Sequence, residues 1–134
     1  MKRILITLTV IFAVGVFAVF ANGENQNSSS FKSSDEEIAI EVKRVNGEIK
    51  LHIMIKSMSK YDHVVIERSA ETPDYFGKCK YISCADAKTE KGDFVHTDRY
   101  PYAANKDVYY RVKTVTKDGV ERAYPSVLLP SLQY

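Results

Sequence analysis

Val108-Tyr109-Tyr110-Arg111-Val112-Lys113-Thr114-Val115, followed by Thr116-Lys117-Asp118-Gly119 and an extended return from Val120 to Leu129, is the stretch that decides the fold. Successive side chains of a strand point to opposite faces, so Val108, Tyr110, Val112 and Thr114 share one side and Tyr109, Arg111 and Lys113 the other. Tyr110 belongs to the core on this reading. Asp118-Gly119 tolerates the positive φ angles of a tight hairpin turn, which makes the segment two antiparallel strands closing a sheet.

Working back toward the N-terminus, the same period of two recurs. Ile38, Ile40 and Val42 alternate with Ala39, Glu41 and Lys43; after Asn46-Gly47, a type I′ turn dipeptide, Ile49, Leu51, Ile53 and Ile55 alternate with Lys50, His52, Met54 and Lys56. His63–Ser69 reads as a third strand with Val64 and Ile66 inward. Phe76–Ser83 reads as a short edge strand, and Asp93–Thr97 as another. Met58–Asp62, Ala70–Tyr75, Ala85–Gly92 and Tyr100–Asn105 are connections, rich in turn residues or polar side chains. Seven strands at this spacing, with no amphipathic helix between them, predict an all-β, immunoglobulin-like antiparallel sandwich. The abundance of Tyr, Phe, Val and Ile agrees, because ring and branched side chains suit a pleated, half-buried surface.

The first 21 residues are of another kind. Lys2 and Arg3 precede an uncharged apolar run, Ile4–Phe20, and small Ala21 precedes polar Asn22, which is the pattern of a secretory signal peptide. Cleavage is placed after Ala21, with Ala18 the nearest alternative. The competing reading is an uncleaved anchor, since about 17 apolar residues can just span a hydrocarbon layer of roughly 30 Å. No cysteine precedes Cys79, so thioether lipid attachment is chemically excluded for this segment. Once cleaved, the protein has no membrane span and is expected to be secreted, periplasmic or held at the cell surface. Residues 22–36, dominated by Asn, Ser, Gly, Gln and Glu with Phe31 as the one large apolar side chain, read as a flexible polar linker. The folded domain is then 37–134.

Of the 19 basic residues the signal takes two and of the 17 acidic ones none, leaving the remainder balanced in charge. Lys and Arg alternate with Glu and Asp throughout, without the concentrated positive face a phosphate backbone requires, so nucleic acid is not an expected partner.

Several of these segments also match structural marks of a known family. Ile66-Glu67-Arg68-Ser69 on a central strand, Thr97-Asp98 and Pro101 at the turn before the penultimate strand, and Tyr109 to Asp118-Gly119 on that strand and its hairpin resemble a fibronectin type III-like module of bacterial secreted proteins. The resemblance covers residues 37–130. It implies a seven-stranded sandwich used as scaffold or binder, and no catalytic motif comes with it. The chain departs from the animal pattern in lacking the core Trp of the second strand, where Leu51 or Ile53 must fill the volume, and in lacking an Arg-Gly-Asp tripeptide.

Chemical candidates are few. Cys79 and Cys84 are the two cysteines, and export would put them where a disulfide persists; closing so short a loop stabilises by about 2 kcal/mol. A redox pair, the alternative, normally has two intervening residues, and zinc would need further ligands that His52, His63 and His96 are not spaced to give. No nucleophile elbow, zinc-protease helix or phosphate loop occurs, so no catalytic residue, cofactor or metal site is predicted. Asp35, Glu36 and Glu37 read as a solvated strand entry. The aromatics are the better surface candidates: Tyr109 with Arg111, together with Tyr102 and Tyr124, form the predicted binding face. The expected function is a non-enzymatic module for protein–protein interaction or structural support at the envelope or outside the cell. A small carbohydrate-binding module using surface tyrosines is the alternative.

Overall fold

The computed structural model describes residues 28–99 and 105–132; residues 1–27, 100–104 and the last two lie outside them. Among the described residues nine strands make two antiparallel sheets. They are β1 (Ser28–Lys32), β2 (Ile38–Val45), β3 (Glu48–Ile55), β4 (Tyr61–Ala70), β5 (Gly77–Ser83), β6 (Gly92–Asp98), β7 (Val108–Thr116), β8 (Glu121–Ala123) and β9 (Val127–Leu129), with one 3-10 turn at Met58–Lys60. One sheet runs β1-β2-β3-β6; the other runs β5-β4-β7-β8, with β9 also paired to β7.

The two hairpins form for different reasons. Val45 pairs with Glu48, leaving Asn46 and Gly47 as a two-residue loop with φ of 51° and 80°, the mirror-image turn that the right-handed strand twist favours. At the second hairpin the Thr116 amide donates to the Val120 carbonyl and the Gly119 amide to Thr116, each at 2.9 Å. The loop is therefore Lys117-Asp118-Gly119, three residues rather than two, and Gly119 alone takes positive φ, at 87°. The Val120 amide in turn donates to the Thr116 hydroxyl, which itself bonds the Asp118 carboxylate.

The alternation read from the sequence is the burial pattern observed. Ile38, Ile40 and Val42 face Val108, Tyr110 and Val112 across the sandwich interior with Ile49, Leu51, Ile53, Val64, Ile66 and Leu129, all at most 1 % exposed. Leu51 and Ile53 both occupy the inner face of β3, filling the region expected to lack a Trp. Each such side chain stabilises by about 1.5–3 kcal/mol over its exposed state, so this core holds the sheets together.

The count of nine corrects the expected seven in two places. Tyr124-Pro125-Ser126 divides the final extended run, because proline has no amide to donate to β7; β8 and β9 result. Ser28–Lys32, assigned to the linker, is a strand paired residue for residue with Lys43–Ala39. Its Phe31 packs on the core near Tyr124, and the turn after it is closed by the Ser33 hydroxyl, which donates to Asp35 at 2.6 Å and accepts from the Ile38 amide. That hydroxyl, followed by the Glu37 amide, holds the Asp35 carboxyl below its ordinary range.

Candidate functional site

With Val64, Ile66 and Arg68 turned inward on β4 and Val108, Tyr110 and Val112 inward on β7, the intervening residues form the outer face of the β5-β4-β7-β8 sheet. The register sets Ser69 against Tyr109, Glu67 against Arg111 and Val65 against Lys113. β5 adds Lys78 beside Glu67 and Tyr81 beside Val65, and β9 adds Leu128 beside Tyr109. Glu67, only 7 % exposed, is the centre of this face. Its carboxylate accepts from Arg111 Nε at 2.6 Å and lies 3.4 Å from Lys113 Nζ. The Arg111 guanidinium sits 4.1 Å over the Phe76 ring, and His63 stacks on Tyr81 with ring centroids 4.8 Å apart.

This arrangement orders side chains before any partner arrives. A guanidinium held by a carboxylate and an aromatic ring has little rotamer freedom left to lose on binding, and rigid aromatics carry most of the energy at interfaces. Tyr81 and Leu128 remain 47 % and 36 % exposed, with Tyr109 and Arg111 half-buried between them. The face is thus a cationic centre flanked by apolar and aromatic ends.

Of the predicted binding residues, Tyr109 and Arg111 are brought together here, and Tyr124 is not. The Tyr124 amide donates to Val112, which turns its ring to the inner side of β8; it is 4 % exposed, 6.1 Å from the Phe31 ring and covered by Arg122 at 4.4 Å. It hydrogen-bonds Tyr61, whose hydroxyl is raised above its ordinary range by burial first and then by Tyr124 and Glu37. Tyr102 lies outside the described residues. Glu67 and Phe76, which order Arg111, carry no signal in the sequence beyond their strand parity.

Cys79 and Cys84 are free thiols, correcting the expected disulfide. The strand between them is the reason: the four residues 80–83 are extended, and the four strand steps from Cys79 to Ser83 already span roughly 13 Å, beyond the ~7 Å limit between bridged Cα atoms. Cys79 is the extra residue of a β-bulge opposite Ile66 and Glu67, while Cys84 is buried with its sulfur 3.9 Å from that of Met58. Burial, then neighbouring Asp98, pushes the Cys79 thiol up to about 12, so it stays protonated and unreactive at neutral pH.

Asp98 is the second cluster. It ends β6 in one sheet, and both its oxygens lie 2.6 Å from Arg68 Nη1 of β4 in the other; Oδ2 also accepts from the Tyr110 hydroxyl of β7 at 2.6 Å. Burial, then the bond to Asp98, raises the Tyr110 hydroxyl far above its usual range. With Asp98 6 % and Tyr110 0 % exposed and the Arg68 side chain reaching solvent at 30 %, the group is a tie between sheets and not a ligand pocket.

An open groove of about 480 Å³ lies where the 84–91 connection meets β6, with Met58 and Phe94 beside Asp86, Lys91 and Asp93. Among the described residues no three His, Cys, Asp or Glu side chains stand together as metal ligands, and no helix is long and apolar enough to cross a membrane. Comparison with protein-family models, with curated protein sequences and with solved structures finds no match to this chain.

Proposed function

We propose that the chain is an exported, non-enzymatic interaction module of fibronectin type III-like build, which engages a protein of the envelope or extracellular space through the outer face of the β5-β4-β7-β8 sheet. The carrying observation is the ordered Arg111, held by buried Glu67 and Phe76 beside Tyr109 and Leu128. The fibronectin-like build is supported by strand order: apart from β1, the sheets are β2-β3-β6 and β5-β4-β7 with the divided last strand, three strands against four. Export rests on the residue pattern of 1–21.

The test is crosslinking and affinity recovery of the chain from its native envelope and culture medium. A Tyr109→Ala, Leu128→Ser variant runs in parallel, and so does Arg111→Ala combined with Glu67→Gln, so that no unpaired carboxylate is buried. Stoichiometric recovery of one protein, lost in both folded variants, is expected. Equal recovery by the variants would remove this face from the proposal. Recovery of no protein alongside selective signals on a glycan array would replace it with the carbohydrate reading.

A further inference from the structure

A two-sheet sandwich has four edges, and each open edge is a row of unpaired backbone donors and acceptors that another strand can extend. Three of the four are guarded here. β5 carries exposed Lys78 and Lys80 and the bulge at Cys79; β8 and β9 are three residues each and divided by Pro125; β1 is five residues, bears Lys32 and lies beside β9. β6 has none of these devices. Gly92-Asp93-Phe94-Val95-His96-Thr97-Asp98 holds unbroken register with β3, contains no lysine or proline, and presents Val95 at 73 % exposure.

We infer that β6 pairs antiparallel with β6 of a second copy of this chain, about a two-fold axis at Val95, joining the two β1-β2-β3-β6 sheets into one continuous eight-stranded sheet. The occupant follows from charge along the rows. Centred on Val95, the pairing sets Val95 against the partner's Val95, Phe94 against the partner's His96 and Asp93 against the partner's Thr97, and no like charges oppose. Within one copy, Lys50 Nζ already donates to Thr97 at 2.9 Å, which brings an ammonium to the rim of the sheet. Asp93 is bonded through Oδ1 to His52 of its own copy but is 70 % exposed in its side chain; its second oxygen lands next in that row, so Lys50, Thr97 and the partner's Asp93 form a complementary line, repeated by symmetry. Moving the axis to Phe94 or His96 breaks both lines, and a one-residue slip would turn the polar outer face against the core side.

Such closed two-fold pairing is an isologous interface in which the same strand serves both partners. It is independent of the face proposed above, which lies on the other sheet.

The chain, in the form that cells export, is measured by sedimentation equilibrium across the micromolar range, as the unmodified protein and as Val95→Lys, Val95→Thr and Val95→Cys. Val95 is exposed, so at concentrations low enough for every form to be monomeric all four should give closely similar unfolding curves. The expected result is a reversible dimer, weakened at least tenfold by Val95→Lys and retained by Val95→Thr. Under mild oxidation the introduced cysteine should bridge to its own counterpart, because directly opposed residues lie about 4.5–5.5 Å apart. A monomer at every concentration overturns the inference. So does a dimer that Val95→Lys leaves unchanged, or β6 being occupied by a strand of another protein.

Discussion

Replacing Asp98 by Ala strikes a buried charge pair that joins the two sheets. Arg68 Nη1 lies 2.6 Å from both carboxylate oxygens, and the Tyr110 hydroxyl donates to one of them at 2.6 Å. Hydrogen bonds to a charged group are worth about 1.5–3 kcal/mol each, but the Arg68 side chain, 30 % exposed, can recover some water once its partner is gone. Tyr110 cannot, being 0 % exposed, and its stranded hydroxyl adds about 1–3 kcal/mol. The expected loss for Asp98→Ala is about 3–5 kcal/mol, the range for breaking a buried pair from one side. A loss of that size approaches the whole stability of an ordinary domain, so Tyr110→Phe provides the measurable companion at about 2 kcal/mol. Urea unfolding followed by tyrosine fluorescence reads both. The double variant should cost less than the sum of the two by about 1–2 kcal/mol, because the phenylalanine has no hydroxyl to strand. A loss under about 1 kcal/mol for Asp98→Ala, at unchanged urea dependence, would refute the reasoning that this cluster ties the sheets.

Three further outcomes follow from buried or half-buried positions. Cys79 and Cys84, being free thiols, should each take up an alkylating reagent after unfolding without reductant, giving two adducts by mass spectrometry; no adducts would mean the bond had formed. Because the folded Cys79 pKa is raised from 9.0 to about 12, its contribution is fully present below pH 9 and lost as pH rises toward 12. Unfolding midpoints should therefore fall across that window, by about 1.4 kcal/mol per pH unit at most from this thiol, and less steeply in Cys79→Ala; equal slopes would sink the claim. At Gly92 an added Cβ would meet Phe94 Cε2 at 2.5 Å and Met58 Sδ at 2.6 Å, so Gly92→Ala should cost about 1–3 kcal/mol by thermal unfolding; no loss would show that both side chains swing aside freely.

What the sequence made legible is what depends on neighbours two residues apart. Period-two alternation located β2, β3 and β7 with their inward faces, and Asn46-Gly47 specified its turn because the turn is made by those two residues alone. The failures are cases where a distant residue decides. Phe31 looks too isolated to order its segment, yet Tyr124, far along the chain, supplies its packing partner. Tyr124 itself looks like a surface tyrosine until its amide bonds Val112 and its ring meets Phe31 and Arg122. The cysteine spacing says nothing about whether the intervening chain is extended, and that extension keeps the thiols apart. Tyr109 and Arg111 were legible as outward neighbours, but Glu67 became their organiser only through the β4–β7 register.

The apolar core by itself does not fix how one sheet lies on the other, since Ile, Val and Leu side chains present faces of similar shape that pack in more than one offset. Polar ties have one geometry. Asp98 of β6 locks to Arg68 and Tyr110, and Arg44 of β2 donates to the Pro130 carbonyl at 2.7 Å just beyond β9. Both cross from the β1-β2-β3-β6 sheet to the other, and both lie where strands end. Glu37 secures the entrance to β2 by accepting from Ser57 and Lys60. A buried ion pair gives no more stability than well-packed apolar groups of equal volume, so what these ties add is alignment. On the side of the sandwich where β6 and β5 meet, His96 is held below its ordinary pKa by burial and then by Lys80. An uncharged His96 lets the β6 edge carry its apolar centre without a positive charge beside it. Beside this tie β6 keeps unbroken register with β3, while β5 carries a bulge and exposed lysines.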